Sequence, residues 1–192
     1  MGALMKACAV IYPVSATTSF LLQYWRGSHH AKRRYEQRNS ELKKAFIAES
    51  NAPGNKCLQI SVKDEVGHKW GPNWTSVDKF DHGPMIDRHD DIQDLKFDDG
   101  TFDYISCVAV LANVERPWDA IRELHRVLKV GGKIWINIPM TFPYHEAPRD
   151  YWRASPDGLR VWMRAFEEIA CGIDYYSRSS LTATTYYFGR KR

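Results

Sequence analysis

The chain has 192 residues, of which 44% are hydrophobic and 13% aromatic, which is enough apolar material for one sizeable core but short for two. Its net charge of +4 excludes the dense basic surface of a dedicated nucleic-acid binder, so we expect no nucleic-acid partner. No two of the four cysteines have C-x-x-C spacing and no histidine-rich tract accompanies them, so we predict no metal site.

The first part of the chain has two interpretations. Residues 7–25 carry no charge and residues 26–34 are basic, which is the outline of a membrane anchor, but proline and hydroxyl side chains dilute the apolar run. One interpretation is a soluble packing or docking segment, and the other is peripheral membrane contact through residues 1–44. We therefore expect a cytoplasmic protein, with membrane association as the alternative.

A change of pattern near residue 52 predicts the domain organisation. Residues 30–48 lack glycine and proline and predict a helix, and the breaker residues 51–55 follow. We predict an N-terminal helical or docking segment over residues 1–52 and one folded domain over residues 53–192.

Four strand-like runs open the predicted domain. Residues 57–62 and 74–80 predict the first two strands, residues 85–92 a weaker third, and residues 102–110 a fourth. The fourth run is almost continuously apolar and contains Cys107, as expected for a strand that is buried on both faces.

The second half alternates helices and strands. Residues 117–129 predict a helix that begins at a proline, carries Trp118 in its apolar stripe and ends at Gly131 and Gly132. The remaining predicted elements are a strand (132–139), a helix (155–166) and two antiparallel strands (167–176 and 181–191). This order predicts an α/β fold with a mostly parallel sheet and an antiparallel edge.

Ligands of open α/β sheets bind at the carboxyl ends of the strands, so the residues at these positions are candidates for a site. Asp78 ends the second predicted strand, where a carboxylate can accept hydrogen bonds from ribose hydroxyls; the alternative is an ordinary turn aspartate. Asp91 lies at the end of the third and can accept from an exocyclic amine, with Ile92 covering an adenine face.

The long segment 140–154 combines aromatic, basic and titratable side chains before a predicted helix. His145 can act as a general base toward a substrate hydroxyl. The candidate substrate-binding residues are Tyr144, Arg149, Tyr151 and Arg153. The alternative is that Asp150, Tyr151 and Arg153 only fix the loop onto the following helix.

Residues 92–139 resemble the core of class I S-adenosylmethionine-dependent methyltransferases. The resemblance is carried by the turn DLKFDDGTFD (94–103), the helix end IRELHRVLKVGG (121–132) and the strand after it. The segment FPYHEAPRDYWRASPDGLR (142–160) looks like a branch of that family associated with saccharide or cell-surface glycan pathways. Overall the resemblance covers about residues 57–170.

The resemblance implies a Rossmann-like class I methyltransferase fold, S-adenosylmethionine as cofactor, and roles for individual residues. It implies that Asp78 binds ribose, that Asp91 and Ile92 meet adenine, and that Cys107 lies beside the methionine part. Ser61 and Lys79 complete the set of candidate cofactor-binding residues. The chain departs from the family where the first strand normally ends in an acid and a G-x-G turn, since Gln59, Ser61 and Lys63 stand there.

The function that follows is methylation by S-adenosylmethionine, with a hydroxyl of a small molecule, sugar or glycan as acceptor. The alternative is a catalytically inactive methyltransferase-like protein that acts through binding or as a scaffold. A nucleotide-dependent oxidoreductase is disfavoured because no G-x-G-x-x-G follows a strand. The expected partner is a small-molecule or saccharide substrate, and the sequence predicts no oligomeric state.

Overall fold

The structure is a computed structural model that describes residues 40–62, 69–146, 148–175 and 182–192. Its helices are α1 (40–50), α2 (Pro117–Val127) and α3 (Pro156–Trp162), and a single 3₁₀ turn covers Leu111–Asn113. Its strands are β1 (Cys57–Ile60), β2 (Trp74–Val77), β3 (Phe102–Val108), β4 (Leu128–Pro139), β5 (Phe166–Tyr175) and β6 (Ala183–Lys191).

The strands form one six-stranded sheet in the order β2-β1-β3-β4-β6-β5. Strand β1 is parallel to β2 and β3, and β3 is parallel to β4, whereas β6 is antiparallel to both β4 and β5. The predicted α/β fold with a mostly parallel sheet and an antiparallel edge is therefore confirmed. The parallel half brings the carboxyl ends of β1, β2 and β3 to one edge of the sheet.

Each face of the sheet carries its own hydrophobic cluster, because successive side chains of a strand point to opposite faces. Leu58 and Ile105 belong to the cluster covered by α2 and α3, while their neighbours Cys57 and Tyr104 belong to the cluster on the other face. The two buried layers explain why β3 reads as an almost continuous apolar run.

Helix α1 covers the second face through Phe46, which is fully buried. The Phe46 ring lies 5.6–6.2 Å, between centroids, from the rings of five aromatic residues: Trp70, Trp74, Tyr104, Trp135 and Phe188. Part of the core thus lies upstream of residue 53, and the domain boundary at residue 52 stays a prediction.

The N-terminal interpretations rest largely on residues 1–39, which lie outside the described residues. Within the four described ranges, no helix is both long and apolar enough to cross a membrane.

The predicted third strand over residues 85–92 is wrong. The chain meets β2 there through one parallel bridge between Val77 and Arg88, and the N–H groups of Asp87 and Arg88 both donate to the carbonyl of Ser76. Charged side chains at Asp87, Arg88 and Asp90 are costly to bury on both faces of a sheet, which explains why the pairing does not extend.

Several predicted boundaries also shift. Helix α2 ends at Val127 rather than at the glycines, because Leu128 is already extended and pairs with Phe102 at the start of β4. Trp118 lies outside the buried stripe of α2 and is 43% exposed. Helix α3 ends at Trp162 and not at residue 166, and Ser155 caps its first turn, since the Ser155 hydroxyl accepts from the Gly158 N–H at 3.2 Å.

Candidate functional site

A cavity of about 830 Å³ lies at the carboxyl ends of β1, β2 and β3, within the usual size range of small-molecule sites. Its lining includes eight of the residues singled out by the sequence: Ser61, Asp78, Lys79, Asp91, Ile92, His145, Arg149 and Tyr151. The edge of the sheet and the loop after β4 therefore face one shared space.

Asp78 follows β2 directly, and only one of its two carboxylate oxygens accepts hydrogen bonds from described residues. Its Oδ1 accepts hydrogen bonds from the N–H groups of Phe80 at 2.8 Å and Asp81 at 2.9 Å, as in a turn aspartate. Among the described residues, none donates to Oδ2. Asp78 thus shapes the turn after β2 and can still accept from a hydroxyl in the cavity.

Asp91 and Lys79 form an ion pair that joins the end of β2 to the segment before β3. The Lys79 ammonium lies 2.7 Å from Oδ2 of Asp91, and Oδ1 accepts from the N–H of Gln93 at 2.9 Å. Partial burial opposes ionisation, but the hydrogen bonds from Lys79 and Gln93 outweigh it and lower the pKa of Asp91. Asp91 is therefore an anion at neutral pH, and a ligand amine has to share it with Lys79.

Two non-glycine residues in the left-handed region border the cavity. Ser61 after β1 has φ +63° and Ala109 after β3 has φ +59°. Hydrogen bonds to neighbouring strands fix both, from the Ser61 N–H to the Val77 carbonyl at 2.8 Å and from the Ala109 N–H to the Asn137 carbonyl at 2.9 Å. Ser61 stands where the family has glycine, so the chain keeps a glycine-like conformation without a glycine.

Gln59 stands at the acidic position of the family's first strand and does not line the cavity. It is buried, and its Oε1 accepts from the N–H of Trp70 at 3.1 Å. The last residue of that motif, Lys63, lies outside the described residues.

The loop after β4 folds back over the 3₁₀ turn and supplies the other wall of the cavity. The N–H groups of Tyr151 and Trp152 donate to the carbonyl of Ala112 at 2.8 and 3.1 Å, and the side chain of Asn113 donates to the carbonyl of Arg149. These bonds place the exposed side chains of His145, Arg149 and Tyr151 at the cavity.

Arg153 fixes this loop and does not line the cavity. Its five N–H donors all have partners: the Asp150 carboxylate takes two, and the carbonyls of Phe142, Pro143 and Trp152 take the rest. The hydrogen bonds from Arg153 outweigh the burial of Asp150, whose side chain is 3% exposed, and lower its pKa to about 2. This is the locking arrangement named as the alternative to substrate binding.

Asp150 also accepts from the backbone N–H of His145 at 2.7 Å. The ion pair between the buried carboxylate of Asp150 and the half-buried Arg153 therefore positions the backbone that carries His145.

Two further predicted site residues, Cys107 and Tyr144, are not among the lining residues, although their neighbours Val108 and His145 are. Cys107 is fully buried in the core covered by α2 and α3, and burial raises the pKa of its thiol. Tyr144 is 73% exposed and is not part of the lining.

The structure adds cavity residues that the sequence did not single out: Phe80, Asp81, Asp90, Gln93 and Glu115. The first four lie within three residues of Asp78 or Asp91, so extending the search to the residues on both sides of these two aspartates would have found them. Glu115 follows the 3₁₀ turn, and no pattern in the sequence distinguishes it from other exposed acids.

Residues 75–136 match the family model of the methyltransferase domain. A demethylmenaquinone methyltransferase of Staphylococcus epidermidis is 46% identical over 46 residues, which are 24% of this chain and 19% of that protein. The chain thus aligns with about a fifth of the length of this curated relative.

Solved structures extend the similarity to most of the chain. The 1,6-didemethyltoxoflavin-N1-methyltransferase of Burkholderia thailandensis has a TM-score of 0.55 at 14% identity and covers 96% of this chain and 93% of its own. The N-methyltransferase NodS of Bradyrhizobium japonicum has a TM-score of 0.56 at 15% identity, with coverages of 81% and 87%. At these identities the similarity establishes the shared fold, which is the Rossmann-like class I methyltransferase fold predicted from the sequence.

Proposed function

We propose that this chain is a class I S-adenosylmethionine-dependent methyltransferase, that it binds S-adenosylmethionine in the cavity, and that it methylates a hydroxyl of a small molecule or sugar. The observation that carries the proposal is that Asp78 and Asp91, from two different loops at the same sheet edge, line one cavity of about 830 Å³. Carboxylates on opposite sides of the sheet would have excluded a common ligand.

The residues around the cavity fit an adenosyl group. Asp78 keeps one carboxylate oxygen without a described donor, as a ribose hydroxyl requires. Asp91 and the buried Ile92 supply a hydrogen-bond acceptor and an apolar surface for the base. In this proposal Lys79 and Ser61 border the same ligand, whereas Cys107 acts only through the packing of β3 behind it.

The loop after β4 is proposed to bind the acceptor. Bound S-adenosylmethionine would supply the methyl group: the acceptor oxygen would attack the methyl carbon in line while the carbon–sulfur bond breaks, its electron pair staying on the sulfur of the departing S-adenosylhomocysteine. His145 takes the proton of the hydroxyl, and Arg149 and Tyr151 orient the acceptor through a cation and an aromatic ring. Tyr144 is close enough in sequence to contact a longer acceptor outside the cavity. The fixed backbone at Asp150 supports this geometry.

Calorimetry with S-adenosylhomocysteine and S-adenosylmethionine tests cofactor binding directly. Saturable binding to the native chain is expected, and Asp78→Ala should weaken it by about 10- to 100-fold, since a hydrogen bond to a charged group contributes about 1.5–3 kcal/mol. Asp94→Asn is the matched control, because Asp94 is 71% exposed and outside the cavity lining. An absence of heat at millimolar ligand, or equal losses in both variants, would refute the proposed site.

Methyl transfer from radiolabelled S-adenosylmethionine to a panel of monosaccharides, sugar nucleotides and small alcohols tests the acceptor class. His145→Asn should lower turnover by about 10²- to 10⁴-fold while the affinity for S-adenosylhomocysteine is retained. His89→Asn is the matched control, because His89 is exposed and does not line the cavity. If the chain binds cofactor but methylates nothing in a panel extended to amines and thiols, the inactive binding protein becomes the better description.

A further inference from the structure

The wall of the cavity carries more acidic than basic side chains. Its charged lining residues are five acids, Asp78, Asp81, Asp90, Asp91 and Glu115, and two bases, Lys79 and Arg149. With His145 counted as neutral, five negative charges against two positive ones give the lining a formal charge of −3. The whole chain has the opposite sign, at +4, so the fold concentrates acids at this cavity.

Two of the acids are neutralised by cations. Asp91 pairs with Lys79, and the Asp90 carboxylate lies 3.2 Å from Nε of Arg88. Arg88 is not a lining residue, and counting it changes the formal charge around the cavity from −3 to −2. A negative excess therefore remains after the ion pairs are taken into account.

Glu115 contributes a negative charge that no structural contact uses. Its backbone is fixed, because the indole N–H of Trp152 donates to the carbonyls of Val114 at 3.0 Å and Glu115 at 3.3 Å. Among the residues that the structure describes, none donates to the Glu115 carboxylate. Asp78, by contrast, accepts two hydrogen bonds that shape the turn after β2. The Glu115 carboxylate is thus available to a charged ligand.

Apolar side chains between the acids strengthen the effect of this charge. The aliphatic lining residues are Ile60, Val77, Ile92, Val108, Val110 and Val114. Such side chains lower the local dielectric constant, so that charges in a cleft act over longer distances than charges on an open surface. A ligand that carries a positive charge is therefore favoured in this cavity over a neutral ligand of the same shape.

The two forms of the proposed cofactor differ by one such charge. S-adenosylmethionine has a positively charged sulfonium where S-adenosylhomocysteine has a neutral thioether, and their amino and carboxylate groups are the same. We infer that the acidic wall makes the chain bind S-adenosylmethionine more tightly than the product S-adenosylhomocysteine, and that Glu115 helps to set this preference. The inference rests on the proposed function, since it concerns the same cavity, and it implies that fresh cofactor displaces the product.

Calorimetry on the full chain without acceptor tests the preference. Both ligands are titrated at about 20 mM and about 500 mM sodium chloride. At low salt S-adenosylmethionine should bind at least about threefold more tightly, and the ratio should approach one at high salt, because ions screen a charge effect. Salt does not screen the contacts of the additional methyl group, so this dependence separates charge from shape.

Three variants assign the effect to particular charges. Glu115→Gln keeps the size of the side chain and should reduce the ratio at low salt by at least about twofold, whereas Arg149→Gln removes an opposing cation and should raise it. Asp98→Asn is the matched control, because Asp98 is exposed and precedes β3, at the end of that strand opposite the cavity. Its ratio should equal that of the native chain.

Different results separate the two proposals. If the native chain binds neither ligand, both the proposed function and the charge preference are refuted. If both ligands bind in a manner that depends on Asp78, only the charge preference is refuted by any of three results: S-adenosylhomocysteine binds as tightly as S-adenosylmethionine at low salt, the ratio does not change with salt, or Glu115→Gln leaves it unchanged.

Discussion

Replacing Phe46 by alanine tests whether helix α1 is part of the folded unit. Phe46 is fully buried and its ring lies between 5.6 and 6.2 Å from five other aromatic rings. Truncating a buried phenylalanine typically costs about 3–5 kcal/mol, and partial collapse around the site is limited here because the surrounding rings are rigid. We therefore expect Phe46→Ala to lower the free energy of unfolding by about 4 kcal/mol.

Urea denaturation followed by tryptophan fluorescence measures this loss, since Trp70, Trp74 and Trp135 surround the site. For a chain of 192 residues the same loss corresponds to a fall in Tm of roughly 8–16 °C. Phe80→Ala is the matched control, because Phe80 is 60% exposed and should change stability by less than about 1 kcal/mol. A loss below about 1 kcal/mol in Phe46→Ala would mean that α1 is a docked segment, as the division at residue 52 predicts.

Three further predictions follow from the site and the core. Asp150→Asn should lower stability by about 3 kcal/mol in urea denaturation at pH 7, because it leaves Arg153 without its buried partner; Asp157→Asn, 92% exposed, should have little effect. The pKa of Asp150 is lowered to about 2, so the native pair should contribute fully above about pH 4 and be lost as the pH falls toward 2, and Asp150→Asn should flatten this part of the stability profile. Iodoacetamide at pH 8 should leave Cys57 and Cys107 of the native protein unmodified, as measured by peptide mass spectrometry. Both thiols are fully buried, and burial raises the pKa of each, to about 12 for Cys57. Modification faster than global unfolding would contradict this burial.

The sheet could be predicted from the sequence because its strands carry local signals. The apolar run that became β3 and the proline that opens α2 depend on neighbouring residues alone, and both were located correctly. The segment 85–92 failed because a few apolar residues between charged ones do not distinguish a strand from a single bridge, such as the one between Val77 and Arg88.

The candidate site could be predicted in part. Asp78 was located because a strand end is a local feature and the carboxyl ends of parallel strands converge. Asp91 lines the same cavity although the strand predicted before it is only a single bridge. The partners of Arg153 could not be predicted, since three of its five donors are used by backbone carbonyls that only the folded loop brings together. The same holds for Gln93, whose Oε1 has no hydrogen-bond partner among the residues that the structure describes, because this depends on how the side chain packs and not on the residue type.

Ser61, which stands where the family has glycine, shows that a sequence motif can be lost while the backbone conformation is retained. From the sequence alone, the absence of glycine predicts that the loop binds the cofactor less well, because glycine permits both a positive φ and the close approach of a ligand. In the structure Ser61 keeps φ +63° and its N–H still donates to Val77, so the conformation survives at a cost of about 1 kcal/mol. A strained backbone conformation persists only where the surrounding structure, here the neighbouring strands, holds it in place. Ser61 and Ala109 follow adjacent strands, both have a positive φ, and both border the same cavity. Such clustering of strained residues is typical of a functional site. What the serine changes is the space above the backbone, where its side chain stands in place of a hydrogen, and this bears on how closely a ligand approaches and not on whether the turn forms.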